Sequence, residues 1–422
     1  MRTVDDFTRP LEYLSPLDRS LGMITREWAE KQVMPIRRDF DEDWEEHRII
    51  EPAFKKLMGE LGFQRFFFPE DLGGFGMGHS DYAAVGAYRI CEEVSRGDSA
   101  MGVSFGVLHW PILIISLEPH VNRRLCEEFA SMFCDTTEPM FAANAMTEPQ
   151  GGSDIENLDL LKGSTIQTTA TLDGDEWVIN GHKLWPTNSG GVAKLFGVVC
   201  TTKLGSNDPN DFAFIFVPTN LPGVTQGKPY QKAGMAADKN SDIWFENVRV
   251  PVWYRAHGPG DDFKYFKEMV SWAQMATIGY VGGAMMNAWE IIRDFANEKT
   301  YRGKLLKEND DLAGVLADFA TAVDIVRIIG YQMARMLDRP DLYGPGWSDE
   351  IVTKARAYKY FACDRAVEMV GKAMNIMGAH GSDRVQDIEK HWRDIKICQL
   401  WLGGKQLGQI EVARWFYECE TL

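Results

Sequence analysis

The run MTEPQGGSD at residues 146–154 decides the fold of this sequence more than any other stretch. Its two glycines and small hydroxyl residues predict a tight loop, in which backbone amides can closely approach a phosphate or a flat ring. A second run, INGHKLWPTN at residues 179–188, carries an Asn-Gly pair that favours a hairpin turn, followed by a tryptophan and a threonine. Taken alone, such glycines more often form an ordinary turn, and such a tryptophan more often belongs to the core.

The sequence around these runs has the residue composition and pattern typical of a β domain. It contains EWVING, KLFGVVC, FAFIFV and DIWFENVRVP, which are rich in β-branched and aromatic residues and bounded by Gly, Asn and Asp. Earlier and later segments instead repeat apolar residues every three or four positions, as at Ile24 and Trp28, which predicts helices. A glycine-rich loop at 69–81 interrupts the first helical region.

The order helices, sheet, helices predicts an α+β protein. We expect a helical N-terminal domain at 1–140, a middle β-sheet domain at 141–255 and a helical C-terminal domain at 256–422. The longest C-terminal helices are predicted at 269–298, 312–337 and 348–377.

Composition narrows the class of protein. The 422 residues carry a formal charge of -16, which disfavours binding to nucleic acid. The seven cysteines form no CxxC pair, so neither a disulfide framework nor a zinc site is predicted, and buried reduced thiols are expected. The longest apolar run, 107–117, is too short to span a bilayer, and no signal peptide is evident at the start of the sequence. These features predict a soluble cytoplasmic protein without a membrane span.

Together, and at this spacing between two helical regions, the two runs resemble the flavin-binding signatures of the acyl-CoA dehydrogenase family. The segments 69–78, 245–251, 377–381 and 393–397 match as well, so the resemblance covers nearly the whole chain. It implies that the C-terminal domain is a four-helix bundle, that FAD binds between sheet and bundle, and that a neighbouring subunit completes the site in a homotetramer. It also implies an acyl-CoA substrate and, as electron acceptor, an electron-transferring flavoprotein.

The resemblance assigns cofactor-binding residues by position. Met146 and Thr147 should line the flavin ring, Ser153 should contact the pyrophosphate side, and Trp185 with Thr187 should flank the ring and its N5 edge. The remaining positions that match cofactor contacts are Lys299, Arg302, Asn375, Ala379, Gly404 and Gln406. Lys299 and Arg302 replace the usual Arg and Phe of the subunit-crossing contact, and Ala379 replaces a glycine, so this sequence departs from the family there.

The largest departure concerns the catalytic base. Leu402 stands where most members of the family have a catalytic Glu, and Ala273, beside Gln274, stands where some branches keep the base instead. Neither side chain can accept a proton. The resemblance places Ser99, Trp401, Leu402, Ala273 and Gln274 around the substrate.

Three explanations compete for the missing base. The chain is a flavin-binding relative without dehydrogenation activity; or Asp98 has taken over as the base, since its segment resembles the glutaryl-CoA branch; or Glu92 or Glu93 supplies the carboxylate, which is weaker because charges on helices are usually solvated. Asp98 is equally well placed to cap a helix. His109 could relay a proton, but a lone histidine beside an apolar run is more often a satisfied core residue.

A base at Asp98 would meet the acyl group beyond its α carbon, which suits one chemistry in particular. A cyclohexene carboxyl-CoA has no α proton, whereas loss of its γ proton gives a conjugated dienolate. Proton loss to Asp98 and hydride transfer to FAD would then produce a cyclic diene. Cyclohexane carboxyl-CoA is the nearest alternative substrate, and a glutaryl-CoA-like or other atypical acyl-CoA is a further one.

Overall fold

The computed structural model describes residues 3, 5, 14–158 and 166–418, and Cys419 lies outside them. The six other cysteines are free thiols, and all of them except the half-buried Cys134 are buried, as the sequence predicts. Among the described residues, five α-helices precede the sheet: α1 Pro16–Trp28, α2 Ile50–Phe54, α3 Ala83–Gly97, α4 Ser99–Ser116 and α5 Arg123–Cys134. Short π-helical segments, Ala29–Val33 and Lys55–Glu60, extend α1 and α2.

Helix α4 forms the centre of the N-terminal domain. It is apolar on all sides, and every one of its residues is buried. By length and composition alone it could cross a membrane, but it is buried within the protein. It is therefore a core helix.

The middle domain is a mixed sheet. Its strands are β1 Phe141–Ala145, β2 Thr169–Asp173, β3 Glu176–Lys183, β4 Ala193–Thr201, β5 Phe212–Pro218, β6 Val224–Gln226 and β7 Ile243–Pro251. The strand order is β1-β4-β2-β3-β7-β6, and β5 lies off this path and pairs antiparallel with β4. Strand β1 runs parallel to β4, while β3 is antiparallel to both β2 and β7.

The predicted Asn-Gly turn is wrong. Asn180 and Gly181 lie inside β3, and the hairpin turn falls earlier, between Asp173 and Glu176, where Gly174 has a φ of +65°. Gly181 is required for packing, because a Cβ there would lie 2.4 Å from Oγ1 of Thr168. The pairing register with β7 also shifts at this point, which indicates a β-bulge.

The C-terminal domain is helical. It contains α6 Asp261–Glu298, α7 Asp310–Leu337, α8 Pro340–Tyr343, α9 Asp349–Met377, α10 Ile388–Leu400 and α11 Gly404–Tyr417. A small hairpin of Thr300–Tyr301 and Lys304–Leu305 follows α6. Helices α6, α7, α9 and α10 pack together as the predicted bundle, and the three-part α+β architecture is confirmed.

Helix α6 also joins the bundle to the N-terminal domain. It packs along α3 and α4, and at Gly283 its backbone comes so close to α3 that a Cβ would lie 2.1 Å from the carbonyl oxygen of Glu92. This junction brings α4, α6 and α10 into one region, where the candidate site lies.

Candidate functional site

A buried ion pair fixes the loop that follows β1. Nζ of Lys183, on β3, lies 2.7 Å from Oε1 of Glu148 and donates to the carbonyl of Met146 at 2.9 Å. Glu148 also accepts from the backbone amides of Gln167 and Thr168. Burial alone would raise the pKa of Glu148, but Lys183 and these hydrogen bonds lower it overall, so the carboxylate stays ionised. The pair ties the end of β1 to the end of β3.

The connection between the ends of β1 and β3 brings four of the predicted cofactor residues together. Thr147 donates its hydroxyl to the carbonyl of Leu184, and its own carbonyl accepts from the amide of Leu184 at 2.9 Å. Trp185 follows directly; it is 50% exposed, has a φ of +61° and stacks on Tyr230 with ring centroids 4.2 Å apart. Met146, Thr147, Trp185 and Thr187 therefore line one edge of the sheet.

A second buried charge pair lies behind Thr187. Oγ1 of Thr187 donates to Oδ2 of Asp238 at 3.3 Å and accepts from Asn240 at 3.4 Å. Nζ of Lys232 lies 3.2 Å from the same carboxylate oxygen of Asp238. The sequence reading missed Lys232 and Asp238, since nothing in their spacing indicates that they meet at Thr187.

Four further predicted cofactor residues, Lys299, Arg302, Asn375 and Ala379, form a separate, exposed group at one end of the bundle. Gly404 is buried at the start of α11, and Gln406 is exposed two residues further on. Nζ of Lys299 lies 5.9 Å from the ring centroid of Phe295, and that ring contacts His380, the neighbour of Ala379, at 5.6 Å. Arg302 and Asn375 are exposed at the same end. No contact joins this group to the Trp185 edge within the described part of the chain.

The usual base position is apolar and buried. Leu402 is 4% exposed and has a φ of +46°, and its carbonyl accepts from Nε2 of Gln274 at 3.4 Å. Ala273 is fully buried on the same side. Oε1 of Gln274 and Nε1 of Trp401 are buried without a hydrogen-bond partner among the described residues. Two polar atoms at this point are thus available to a bound molecule.

An apolar cavity lies between α3, α4 and α6. Its walls include Phe66, Phe67, Phe105, His109, Trp110 and Trp272. Burial lowers the pKa of His109 to about 4, and its Nε2–H donates to the carbonyl of Phe63 at 3.0 Å, so it is the satisfied core histidine that the sequence favours. The cavity is apolar but narrow, with room for about two water-sized molecules.

Asp98 connects α3 to α4 and is only 1% exposed. Its Oδ1 accepts from the amide of Met101 at 2.9 Å, which confirms the predicted helix cap. Its Oδ2 lies 2.5 Å from Nζ of Lys390 on α10, and the same Nζ lies 2.7 Å from Oδ2 of Asp394. The sequence reading missed Lys390, although its spacing of four residues from Asp394 on a helix predicts an ion pair.

The expectation that Glu92 and Glu93 are solvated is wrong. Both side chains are fully buried on α3. Arg327 and Arg89 pair with Glu92, and Arg26 and Arg89 pair with Glu93. These ion pairs neutralise the two carboxylates and so offset the free-energy cost of burying them. Because both are engaged in ion pairs, neither Glu is free to act as a base.

Sequence models of the N-terminal, middle and C-terminal domains of acyl-CoA dehydrogenases match residues 18–119, 143–248 and 260–416. The three-part fold agrees with these matches. The chain belongs to the acyl-CoA dehydrogenase family, whose members are FAD-dependent oxidoreductases.

Individual relatives span almost the whole chain. The cyclohexane-1-carbonyl-CoA dehydrogenase of Syntrophus aciditrophicus (strain SB) is 26% identical over 92% of this chain and 94% of its own length. The mitochondrial short-chain specific acyl-CoA dehydrogenase of Bos taurus is 28% identical over 93% of this chain and 88% of its own. The solved butyryl-CoA dehydrogenase of Megasphaera elsdenii shares the fold, with a TM-score of 0.81 at 21% identity over 95% of this chain and 98% of that one.

The residues present fit FAD. The half-exposed indole of Trp185, held with positive φ beside Thr147, offers a flat apolar face to a ring. At Gly152 an added Cβ would meet nothing nearer than Oδ1 of Asp154 at 3.8 Å, so the backbone of this turn is open to a ligand. Ser153 adds a half-buried hydroxyl beside it. These residues would hold the ring and the pyrophosphate, and the bound cofactor supplies a hydride acceptor.

Proposed function

We propose that this chain oxidises a cyclic acyl-CoA of the cyclohexene carboxyl type and that Asp98 is the base. The observation that carries the proposal is the apolar, buried character of both usual base positions, Leu402 and Ala273. A buried carboxylate at Asp98 stands instead at the start of α4, whose later turns line the apolar cavity. The similarity to the cyclohexane-1-carbonyl-CoA dehydrogenase supports a ring substrate.

Proton removal follows from the acidity of the substrate. A double bond beside the thioester leaves no α proton, but loss of a γ proton gives a dienolate conjugated to the carbonyl. Asp98 would accept this proton, bound FAD would supply the acceptor for a hydride from another ring carbon, and the product would be a cyclic diene. Phe105 and Trp272 contribute aromatic walls to the apolar cavity, which must widen to admit the ring.

Quaternary structure and electron transfer belong to the same proposal. The exposed group of Lys299, Arg302, Asn375 and Ala379 would bind the cofactor of a neighbouring subunit in a homotetramer in the cytoplasm. Electrons would then pass to an electron-transferring flavoprotein. Light scattering of the purified holoprotein tests the assembly, and a tetramer is expected.

The substrate is tested by anaerobic mixing of the holoprotein with a panel of CoA thioesters. Cyclohexene carboxyl-CoA should bleach the oxidised flavin band fastest, followed by cyclohexane carboxyl-CoA, with glutaryl-CoA and butyryl-CoA slower. Fastest bleaching by a linear substrate would contradict the ring assignment. Bleaching by none of the four would favour the flavin-binding relative without dehydrogenation activity.

A further inference from the structure

The cluster of Asp98, Lys390 and Asp394 contains two carboxylates and one ammonium group. All three side chains are at most 4% exposed, and Nζ of Lys390 bridges Oδ2 of both aspartates at 2.5 and 2.7 Å. The other oxygens are held by backbone amides, Oδ1 of Asp98 by Met101 and Oδ1 of Asp394 by Met235 at 2.6 Å. With all three groups ionised, the cluster carries one uncompensated negative charge.

The surrounding charges do not cancel this excess. Arg37 approaches from the segment after α1, but it pairs with Asp387 and donates to the carbonyl of Gly97. On α10 itself, Nε2–H of His391 donates to Oδ1 of Asn287 at 2.9 Å. Burial, followed by the charges of Arg37 and Lys390, lowers the pKa of His391 well below the ordinary value. It is therefore neutral.

Two further elements face the cluster with paired or neutral groups. The loop before β7 brings Lys232, which pairs with Asp238. Helix α3 brings Arg96, which pairs with Glu30 and Glu290. The thiol of Cys398, one turn beyond Asp394, is neutral because burial raises its pKa well above the ordinary value. The excess charge thus belongs to the two aspartates.

We propose that Lys390 and Asp394 are positioning residues that make Asp98 a one-proton acceptor, an inference that rests on the proposed role of Asp98. When the substrate C–H bond breaks and an O–H bond forms on Asp98, Lys390 keeps a full ion pair with Asp394. The cluster then becomes neutral, and no buried charge is left unpaired. The electron pair of the second C–H bond leaves as hydride to FAD, as in the proposed function.

The geometry also sets the charge states of the two partners. Burial raises the pKa of Asp394, and the negative charge of Asp98 adds to the rise against the opposing effect of Lys390. Burial alone would lower the pKa of Lys390, but Asp394 and Asp98 raise it overall, so the ammonium stays charged. Lys390 is a bridge and gives up no proton.

Two substitutions should move the pH dependence of flavin reduction in opposite directions. Asp394→Asn leaves Asp98 in a neutral pair with Lys390, so Asp98 becomes a weaker base; we expect the acid limb to move down by at least about one pH unit and the maximal rate to fall about tenfold or more. Lys390→Met leaves two carboxylates side by side, so the acid limb should move up. Shifts in the same direction, or none, would overturn the proposal.

A matched control and a measurement without turnover complete the test. Asp262→Asn removes another fully buried aspartate, paired with Arg255, and should leave the acid limb in place. Infrared difference spectra between the unmodified holoprotein and Asp98→Asn should contain a protonated-carboxyl band of the cluster on acidification. The bands of Asp262, Glu268 and Asp338, whose pKa burial raises to about 6, 7 and 7, should occur in both proteins and cancel. The band of the cluster tests the proposal even if no acyl-CoA is oxidised or the other variants fail to fold, and its absence overturns the proposal.

Discussion

Nζ of Lys390 lies 2.5 Å from Oδ2 of Asp98, and this contact joins the start of α4 to α10 inside the protein. Asp98 thereby combines a helix cap with a buried ion pair. Capping and catalysis are compatible, since Met101 and Lys390 each use one lone pair of the carboxylate, and carboxylate oxygens have further acceptor sites.

Asp98→Asn and Asp98→Ala should separate capping from charge. Asn keeps a side-chain oxygen for the amide of Met101, whereas Ala removes it, so Ala should lower the free energy of unfolding by about 1 kcal/mol more than Asn. Urea unfolding measures the difference. Ser348→Ala removes the cap of α9 and serves as the control; it should cost a similar amount while leaving flavin reduction unchanged. Equal stability of the two Asp98 variants would contradict the cap.

Leu402→Glu should restore a carboxylate at the usual base position. The side chain at 402 is buried, so a raised pKa is expected for the new carboxyl group. Oxidation of butyryl-CoA should increase at least about tenfold, as measured by anaerobic flavin bleaching. Leu402→Gln, of the same size but without a proton acceptor, should show no gain, and an equal gain in both variants would contradict the role of this position.

Breaking the Glu148 and Lys183 pair should destabilise the middle domain. Both side chains are at most 1% exposed, so Glu148→Gln or Lys183→Met should each lower the free energy of unfolding by about 3 to 5 kcal/mol. The double variant should lose less than the sum, because it leaves no unpaired buried charge. Bound FAD, measured by absorbance, should fall in parallel, and additive losses would show that the pair is not coupled.

Buried neutral histidines should destabilise the protein in acid, whereas Glu268 and Asp338, whose pKa burial raises to about 7, should act in the opposite direction. Burial lowers the pKa of His47 and His109 to about 4 and that of His120 to about 3. Their stabilising contribution is complete above the unfolded pKa of about 6.5 and is lost as the pH falls, by up to about 1.4 kcal/mol per pH unit for each histidine. Urea unfolding midpoints, measured about every half pH unit between pH 7 and pH 5, give the slope of the free energy of unfolding against pH. His47→Gln should lower the number of protons taken up on unfolding by up to about one, which makes the slope shallower. An unchanged slope would contradict the buried neutral state of His47.

The sequence predicts the fold well because the residue patterns that indicate helices and strands in each domain are local in the chain. Periodic apolar residues found helix α6, although its first eight residues, 261–268, lie before the predicted start at 269. The Asn180-Gly181 pair failed as a turn because tertiary packing against Thr168, which no local pattern shows, selects glycine there. Local propensity is a weak guide where backbones approach so closely.

Less of the candidate site than of the fold could be predicted from the sequence. Met146, Thr147, Trp185 and Thr187 share an edge because they sit near strand ends that pair, and their positions could be predicted from the resemblance. The partners of Asp98 and Thr187 could not, since Lys390 and Asp238 meet them across separate elements. Burial of Glu92 likewise depends on Arg327, far away in the chain.

The most direct test of the central claim is a single-turnover measurement of flavin reduction by cyclohexene carboxyl-CoA in Asp98→Asn and in the unmodified protein. Both should bind FAD and the thioester with similar affinity, because Asn keeps the cap. The rate of bleaching should fall by about a hundredfold or more in the variant. Bleaching at the unmodified rate would contradict the role of Asp98 as the base.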